Sequence, residues 1–147
     1  MSIVDQAIAL LLEADNPFSF PDNPEMDRWN LTKVDAPMLD NFLRNPEYAK
    51  KKGFVFKVEW MSPEQYFERL VGVFRYKYGQ YTLMTLVTQP RIDKYAELMK
   101  QGEKFPALWI EMYKDKKEGG QQEGRHRAMA AIAAGIKWVP VVTFQRV

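Results

Sequence analysis

The fold class is decided by the stretch Gln121-Gln122-Glu123-Gly124-Arg125-His126-Arg127-Ala128-Met129-Ala130-Ala131-Ile132-Ala133-Ala134-Gly135-Ile136, which is followed by Trp138-Val139-Pro140-Val141-Val142-Thr143-Phe144. A glycine, two arginines around a histidine, an alanine-rich run and a second glycine predict a loop and a short helix, and the apolar run predicts a buried strand. The first turn of a helix leaves backbone N–H groups unpaired at the positive end of the helix dipole. With cationic side chains at the same place, the pattern indicates a phosphate-binding helix start.

Length and composition limit the chain to one folded domain. The 147 residues, 46% of them hydrophobic, are enough for one core and too few for two full-sized domains. The sequence contains no cysteine, which excludes disulfides and thiolate catalysis, and with one histidine we expect no metal centre built from protein ligands alone. The formal net charge of +2 is too small to indicate nucleic-acid binding by itself.

The sequence offers no segment long and apolar enough to cross a membrane. The apolar stretch Ile8-Ala9-Leu10-Leu11-Leu12 is bracketed by Asp5 and Glu13, and it lacks the basic start and the cleavage site of a secretory signal. We therefore expect a soluble cytoplasmic protein, of a cell or of a phage inside one, with no membrane among its partners.

Residues 1–53 are predicted to form an N-terminal extension that precedes the main domain. A helix is expected over residues 2–14, and three prolines make the following residues 16–24 irregular. The aromatic residues of this arm, Phe18, Phe20 and Trp29, either pack on the arm's own domain, which we favour, or dock onto a partner protein.

The remaining pattern alternates between predicted helices and strands. Helices are expected from Pro37, from the capping signature Ser62-Pro63-Glu64-Gln65 and from Pro90, and strands over residues 54–60, 105–113 and 138–144. The expected apolar helix faces are Met38, Leu39, Phe42 and Leu43, then Tyr66, Phe67, Leu70 and Val71, then Ile92, Tyr95, Ala96, Leu98 and Met99. These elements predict an α/β (α+β) fold, in which helices pack on a small mixed sheet.

Three further features complete the prediction. A hairpin with Gly79-Gln80 as its turn is expected over residues 74–87. Residues 114–122 are charged and contain glycine, so that we expect a solvated turn there. Trp109 and Trp138 fall in strands and are expected in the core.

Residues 55–144 resemble the ParB/sulfiredoxin superfamily, whose signature is a phosphate-binding Gly-x-x-Arg or Gly-Cys-His-Arg loop at a helix start. Gly124, His126 and Arg127 match that loop. The other matching positions are Ala128, Ala131, Gly135 and Val139-Pro140-Val141 after the loop, and Met61 to Tyr66 and Lys100 to Leu108 before it. The resemblance implies a ParB/sulfiredoxin-like phosphate-binding domain over residues 54–147, with ATP or CTP as its nucleotide and Mg²⁺ as a companion ion.

Members of this superfamily differ in activity, so that the resemblance implies a site and not a single reaction. Sulfiredoxin chemistry requires a cysteine in the loop, and Arg125 occupies that place. The chromosome-partitioning pattern has a glutamate directly after the glycine and a helix-turn-helix domain downstream. Here Glu123 precedes the glycine and no such domain follows, and we do not expect a CTP-gated partition clamp.

Two functions remain open. In the first, Gly124, Arg125, His126 and Arg127 bind the phosphate of a nucleotide or nucleic acid, and the protein is a Mg²⁺-dependent phosphotransferase, NTP hydrolase or nuclease. Arg127 would bind phosphate oxygens, Arg125 would neutralise developing charge, and His126 would donate a hydrogen bond or act as general acid. Glu123 would serve as base or Mg²⁺ ligand, with Glu111 or Asp115 as the next candidates. In the second, the same pocket only binds, and the protein is a DNA- or protein-binding accessory module of phage or mobile-element type.

Overall fold

The helices and strands follow the predicted order along the chain. The computed structural model describes residues 19–74, 88–112 and 120–146. Its helices are α1 (Pro37–Arg44), α2 (Pro46–Lys51), α3 (Pro63–Phe74), α4 (Gln89–Lys100) and α5 (Arg125–Ala133), and a short 3-10 helix covers Met26–Arg28. Its strands are β1 (Trp29–Asn30), β2 (Phe54–Met61), β3 (Phe105–Pro106), β4 (Leu108–Met112), β5 (Gly120–Glu123) and β6 (Val139–Arg146). The predicted α+β class with a small mixed sheet is confirmed.

Within the described residues, the main sheet has four strands in the order β2-β6-β4-β5, and β1 pairs with β3 in a separate two-stranded sheet. Strand β6 runs antiparallel to β2 and parallel to β4, and β5 runs antiparallel to β4. Because two parallel strands need a crossover between them, the chain passes from β4 through β5 and α5 before it returns as β6. The start of α5 therefore lies directly after the outermost strand of the sheet.

Both faces of the sheet are covered, which explains why the first six residues of β6 are all buried. One core lies between the sheet and helices α3, α4 and α5, and it includes Tyr66, Leu70, Leu108, Ala131 and Val141. The other core lies between the opposite face and the segment with α1 and α2, and it includes Leu39, Phe42, Phe54, Trp109 and Phe144. The described part of the N-terminal segment thus forms a layer of the same fold. No helix within the described ranges is long and apolar enough to span a membrane.

Specific contacts tie the N-terminal segment to the sheet. Phe20 and Trp29 are buried. The Phe20 ring lies 5.5 Å from the Trp60 ring, centroid to centroid, and the Trp60 indole donates a 2.7 Å hydrogen bond to a backbone carbonyl of the same arm. Phe20 and Trp29 therefore pack within their own chain and are not exposed to a partner. Phe18 and the helix predicted over residues 2–14 lie outside the described residues.

Hydrogen bonds and backbone angles mark where the helices start and stop. The Ser62 hydroxyl accepts a hydrogen bond from the Gln65 backbone N–H, and the Gln65 side chain accepts one from the Ser62 N–H, which is the predicted capping box at the start of α3. Asn45 ends α1, and its side chain then caps α2 by accepting a bond from the Tyr48 N–H. Gly102, with φ +89°, follows the last turn of α4.

Two predictions about the end of the chain are wrong. Gly120, Gln121 and Gln122 belong to β5 instead of a solvated turn, while residues 114–119 lie outside the described residues. Backbone pairing with β4 does not depend on apolar side chains, and this outermost strand can be polar. Trp138 was expected in a strand of the core, but it precedes β6 and is 40% exposed. Its backbone N–H donates a hydrogen bond to the Glu25 carboxylate of the N-terminal segment, which holds this turn outside the strand.

Two smaller predictions also fail. Met38 is 58% exposed, because it lies one residue away from the stripe that buries Leu39, Phe42 and Leu43. Phe74 is the last residue of α3 and does not start a hairpin. The rest of that predicted hairpin, residues 75–87, lies outside the described residues.

Candidate phosphate-binding site

Helix α5 begins at a glycine that the fold itself requires. Gly124 is the N-cap residue and has φ +138°, a conformation that residues with a side chain rarely adopt. A Cβ atom at this position would collide with the side chain of Leu108, which is fully buried in β4. The glycine is therefore explained by the close packing of α5 on the sheet, and its presence alone does not indicate a ligand.

Neither α4 nor α5 has a side-chain cap at its start. Gly124 has no side chain to offer, and the N-cap residue of α4, Thr88, makes no side-chain cap hydrogen bond. Neither helix has an acidic residue in its first turn. First-turn N–H groups need acceptors, and a carboxylate usually offsets the positive end of the helix dipole. Within the described residues, neither helix start has a side-chain cap or a first-turn carboxylate.

These two uncapped helix starts lie next to each other. The backbone N–H of Thr88 donates a 3.1 Å hydrogen bond to Nε2 of His126, which lies in the first turn of α5. The His126 ring also meets Tyr95 of α4 edge-on, with 6.5 Å between the ring centroids. Because α4 and α5 start side by side, the positive ends of the two helix dipoles add at one place.

Two arginines increase the positive charge there. Burial lowers the pKa of His126 below its ordinary value, and the charges of Arg91 and Arg125 lower it further, with Glu123 acting in the opposite direction. Arg91 lies in the first turn of α4 and is exposed, and Arg125 is half-buried. The lowered pKa is the expected response of a histidine in a region of positive potential.

The hydrogen bond from Thr88 also limits what His126 can do. Since Nε2 accepts this bond, the neutral ring carries its proton on Nδ1. The lowered pKa keeps the ring neutral near pH 7, so that Nδ1–H is a hydrogen-bond donor. A proton transfer through Nε2 would first have to break the bond to Thr88. The geometry therefore favours donation to an anion over general acid catalysis.

Arg127 lies in a different environment and is only 4% exposed. Its Nη1 donates hydrogen bonds to the carbonyl oxygens of Pro106 at 2.9 Å and Ala107 at 3.2 Å. Its Nη2 lies 3.4 Å from a carboxylate oxygen of Asp35 and 4.0 Å from one of Glu123. Arg127 thus joins α5 to the β3–β4 connection and to the segment before α1.

Two buried donors close to the start of α5 are left without hydrogen bonds. Within the described part of the chain, Nη2 of Arg127 and the hydroxyl of Tyr66 have no hydrogen-bond partner. Tyr66 is fully buried in α3, and this burial raises the pKa of its phenol far above the ordinary range, with the charge of Arg127 as the largest opposing influence. Buried polar groups are almost always paired, and of these two, Nη2 of Arg127 has the carboxylates of Asp35 and Glu123 near it instead of a hydrogen bond.

The structure thus brings all the predicted site residues together but exposes only some of them. Arg125 and His126 are partly exposed, Gly124 and Arg127 are buried, and Glu123 at the end of β5 is exposed beside Arg127. Within residues 19–74, 88–112 and 120–146, no three acidic or histidine side chains are grouped as a metal site. Thr88 and Arg91 were not predicted to belong to the site. The only signal for them in the sequence is that a cationic residue, Arg91, directly follows Pro90 at a helix start.

Comparisons with known proteins do not assign this site. No family model matches the chain, and neither a curated protein nor a solved structure matches it significantly. The resemblance to the ParB/sulfiredoxin superfamily therefore stays a prediction, and the function has to be argued from the geometry of the site.

Proposed function

We propose that the adjoining starts of α4 and α5 bind the phosphate group of a nucleotide or a nucleic acid. The observation that carries this proposal is the hydrogen bond from Thr88 to His126, because it joins two helix starts that have no cap and no acidic residue in the first turn. Arg91 and Arg125 act on the same place. Helix starts of this kind are the usual binding sites for phosphate in proteins.

An anion would be attracted by the positive ends of the two helix dipoles and by the arginines next to them. Each helix start carries about half an elementary positive charge, and two guanidinium groups add to it. A phosphate would accept hydrogen bonds from first-turn N–H groups and from the arginines, and bonds to ionised groups are roughly twice as strong as neutral ones. The ligand would therefore stabilise the folded protein as well as bind to it.

The described side chains have distinct roles in this proposal. Arg91 and Arg125 contact phosphate oxygens, and His126 donates a hydrogen bond from Nδ1. Gly124 lets α5 pack closely on the sheet, and Arg127 holds the start of α5 in position through its contacts with Pro106, Ala107 and Asp35. If the ligand is ATP or CTP, Mg²⁺ would arrive on its phosphates, because this ion is usually held jointly by substrate phosphates and few protein ligands.

Binding is the function that the geometry supports best. Glu123, the nearest candidate for a base or a Mg²⁺ ligand, lies beside the buried cation of Arg127, and Nε2 of His126 is already engaged by Thr88. Phosphoryl transfer, NTP hydrolysis or nuclease cleavage would need a base that these residues do not provide without rearrangement.

Calorimetric titration of the full chain with inorganic phosphate, ATP, CTP, GTP and a short DNA, each with and without Mg²⁺, tests the proposal. We expect at least one of these ligands to bind, and we expect Arg91→Ala and Arg125→Ala each to weaken binding about tenfold or more. Lys100→Ala is the matched control, because it removes one positive charge from the other end of the same helix α4 and should leave affinity unchanged.

Product analysis of the same mixtures separates the two open functions. Binding without any product identifies a binding module, and Mg²⁺-dependent turnover that is lost in Arg125→Ala identifies an enzyme. Absence of binding to every ligand, or equal affinity in the two arginine variants and the wild type, would contradict the phosphate site.

A further inference from the structure

Strand β2 lies at one edge of the main sheet. All of its residues, Phe54–Met61, pair with β6, and among the described residues no strand or other backbone group pairs with its second edge. The strand is longer than the usual length of about five to six residues and contains no proline. A long edge strand without proline is a template on which a further strand can pair.

The side chains of β2 are more exposed than those of the strand beside it. Residues 55–60 are all exposed or half-buried, whereas the first six residues of β6 are all buried. Val55 is 46% exposed, and Phe56, Val58 and Trp60 are only partly buried against the core next to α1 and α2. A further strand at this edge would remove apolar surface from water.

Two opposite charges lie next to each other on one face of β2. The Lys57 side chain is 74% exposed, and its Nζ lies 3.8 Å from a carboxylate oxygen of Glu59. The Glu59 side chain is 23% exposed and also forms an ion pair with Arg69 of α3. Because charges on an edge strand oppose most pairings with a second chain, they select which partner strand can be accepted.

The alternation of side chains limits how two copies of β2 can pair. In an antiparallel pair with two-fold symmetry, facing residues lie on the same side of the joined sheet. If the axis passes at Lys57, two lysines face each other, and if it passes at Glu59, two glutamates do. If it passes at Val58, Lys57 of each copy faces Glu59 of the other. Facing opposite charges stabilise a strand pair, and facing like charges destabilise it.

We propose that β2 pairs with β2 of a second copy of this chain, antiparallel and with the two-fold axis at Val58. In this register Phe56 also faces Trp60, so that apolar side chains meet on the second face. The contact is self-complementary, as a symmetric dimer requires. It uses none of the residues of the phosphate site, and the two proposals are therefore independent.

Charge exchange tests the register by sedimentation velocity of the full chain over a series of concentrations. We expect the wild type to shift from monomer to dimer as its concentration rises. Lys57→Glu and Glu59→Lys should each weaken dimerisation about tenfold or more, because each creates two pairs of like charges. An equimolar mixture of the two variants should dimerise again, because every facing pair then joins opposite charges. Lys50→Glu is the matched control, since it makes the same charge change at an exposed position of α2 and should leave dimerisation unchanged.

Cross-linking provides a second test that does not alter the charges. The chain contains no cysteine, so that an introduced thiol reports on one position. Val58→Cys should form a disulfide-linked dimer on oxidation, because the two thiols face each other at the axis. Val55→Cys is the control, because its two copies would lie about 20 Å apart along the strands. This test applies even if Glu59→Lys, which loses its ion pair with Arg69, does not fold by circular dichroism.

Three results would overturn the proposal. The first is a wild type that stays monomeric at every concentration. The second is a dimer that neither charge variant weakens, which would assign association to another surface. The third is a pair of weakened variants that mixing does not restore, or a cross-link at position 55 as efficient as that at position 58, which would exclude this register.

Discussion

The start of α5 has two sides, one facing α4 and one facing the end of the sheet, and each side has an arginine. On the α4 side, Arg125 and His126 are partly exposed beside a second uncapped helix start. On the sheet side, Arg127 is buried, donates to two backbone carbonyls and lies near two carboxylates. Under the proposed function, the cationic residues of this short motif divide between ligand binding and stabilisation of the fold.

Of the substitutions that test this difference, Arg127→Ala should have the largest effect on stability. It removes the donor of two hydrogen bonds to backbone carbonyls and the cation near Asp35, and we expect the free energy of unfolding in urea to fall by about 3 kcal/mol. Arg125→Ala is the comparison within the same motif, and because the Arg125 side chain is half-buried and not buried, it should lower that free energy by clearly less than Arg127→Ala does. Equal losses in the two variants would mean that the two sides do not differ as described.

Gly124→Ala should have the next largest effect. The substitution requires a strained backbone conformation and places a Cβ against the Leu108 side chain, and we expect a loss of about 2 to 3 kcal/mol. Gly135→Ala is the control, because Gly135 also has a positive φ of +75° but has open space where a Cβ would lie. It should cost about 1 kcal/mol, from the backbone alone. If Gly124→Ala lowered the free energy of unfolding by as little as Gly135→Ala does, close packing against Leu108 would not be the reason for a glycine at position 124.

The local parts of this arrangement could be predicted from the sequence, whereas the parts that depend on packing could not. The glycine, the alanine-rich run and the apolar strand after it are short-range signals, and they gave α5 and β6 correctly. The burial of Arg127 depends on Asp35, Pro106 and Ala107, which come from distant parts of the chain, and no local pattern reveals it.

The same limit explains the residues that sequence reasoning missed. Thr88 and Arg91 join the site only because α4 packs against α5, and the order of residues contains no trace of that contact. Strand β5 was missed because its polar residues form an outer strand through backbone pairing alone.

The most direct test of the phosphate site uses the only histidine of the chain, which gives a single set of ring resonances in an NMR titration. Without a ligand, burial and the two neighbouring arginines should hold the pKa of His126 below its ordinary value of about 6.5. An anion at the two helix starts favours the protonated ring, so that the pKa should rise when sulfate, an anion whose charge is constant over this pH range, is added. By reciprocity the anion should bind more tightly as the pH falls. A pKa that rises with sulfate in the wild type and not in Arg125→Ala agrees with the proposed site, and a pKa that sulfate leaves unchanged in both proteins contradicts it.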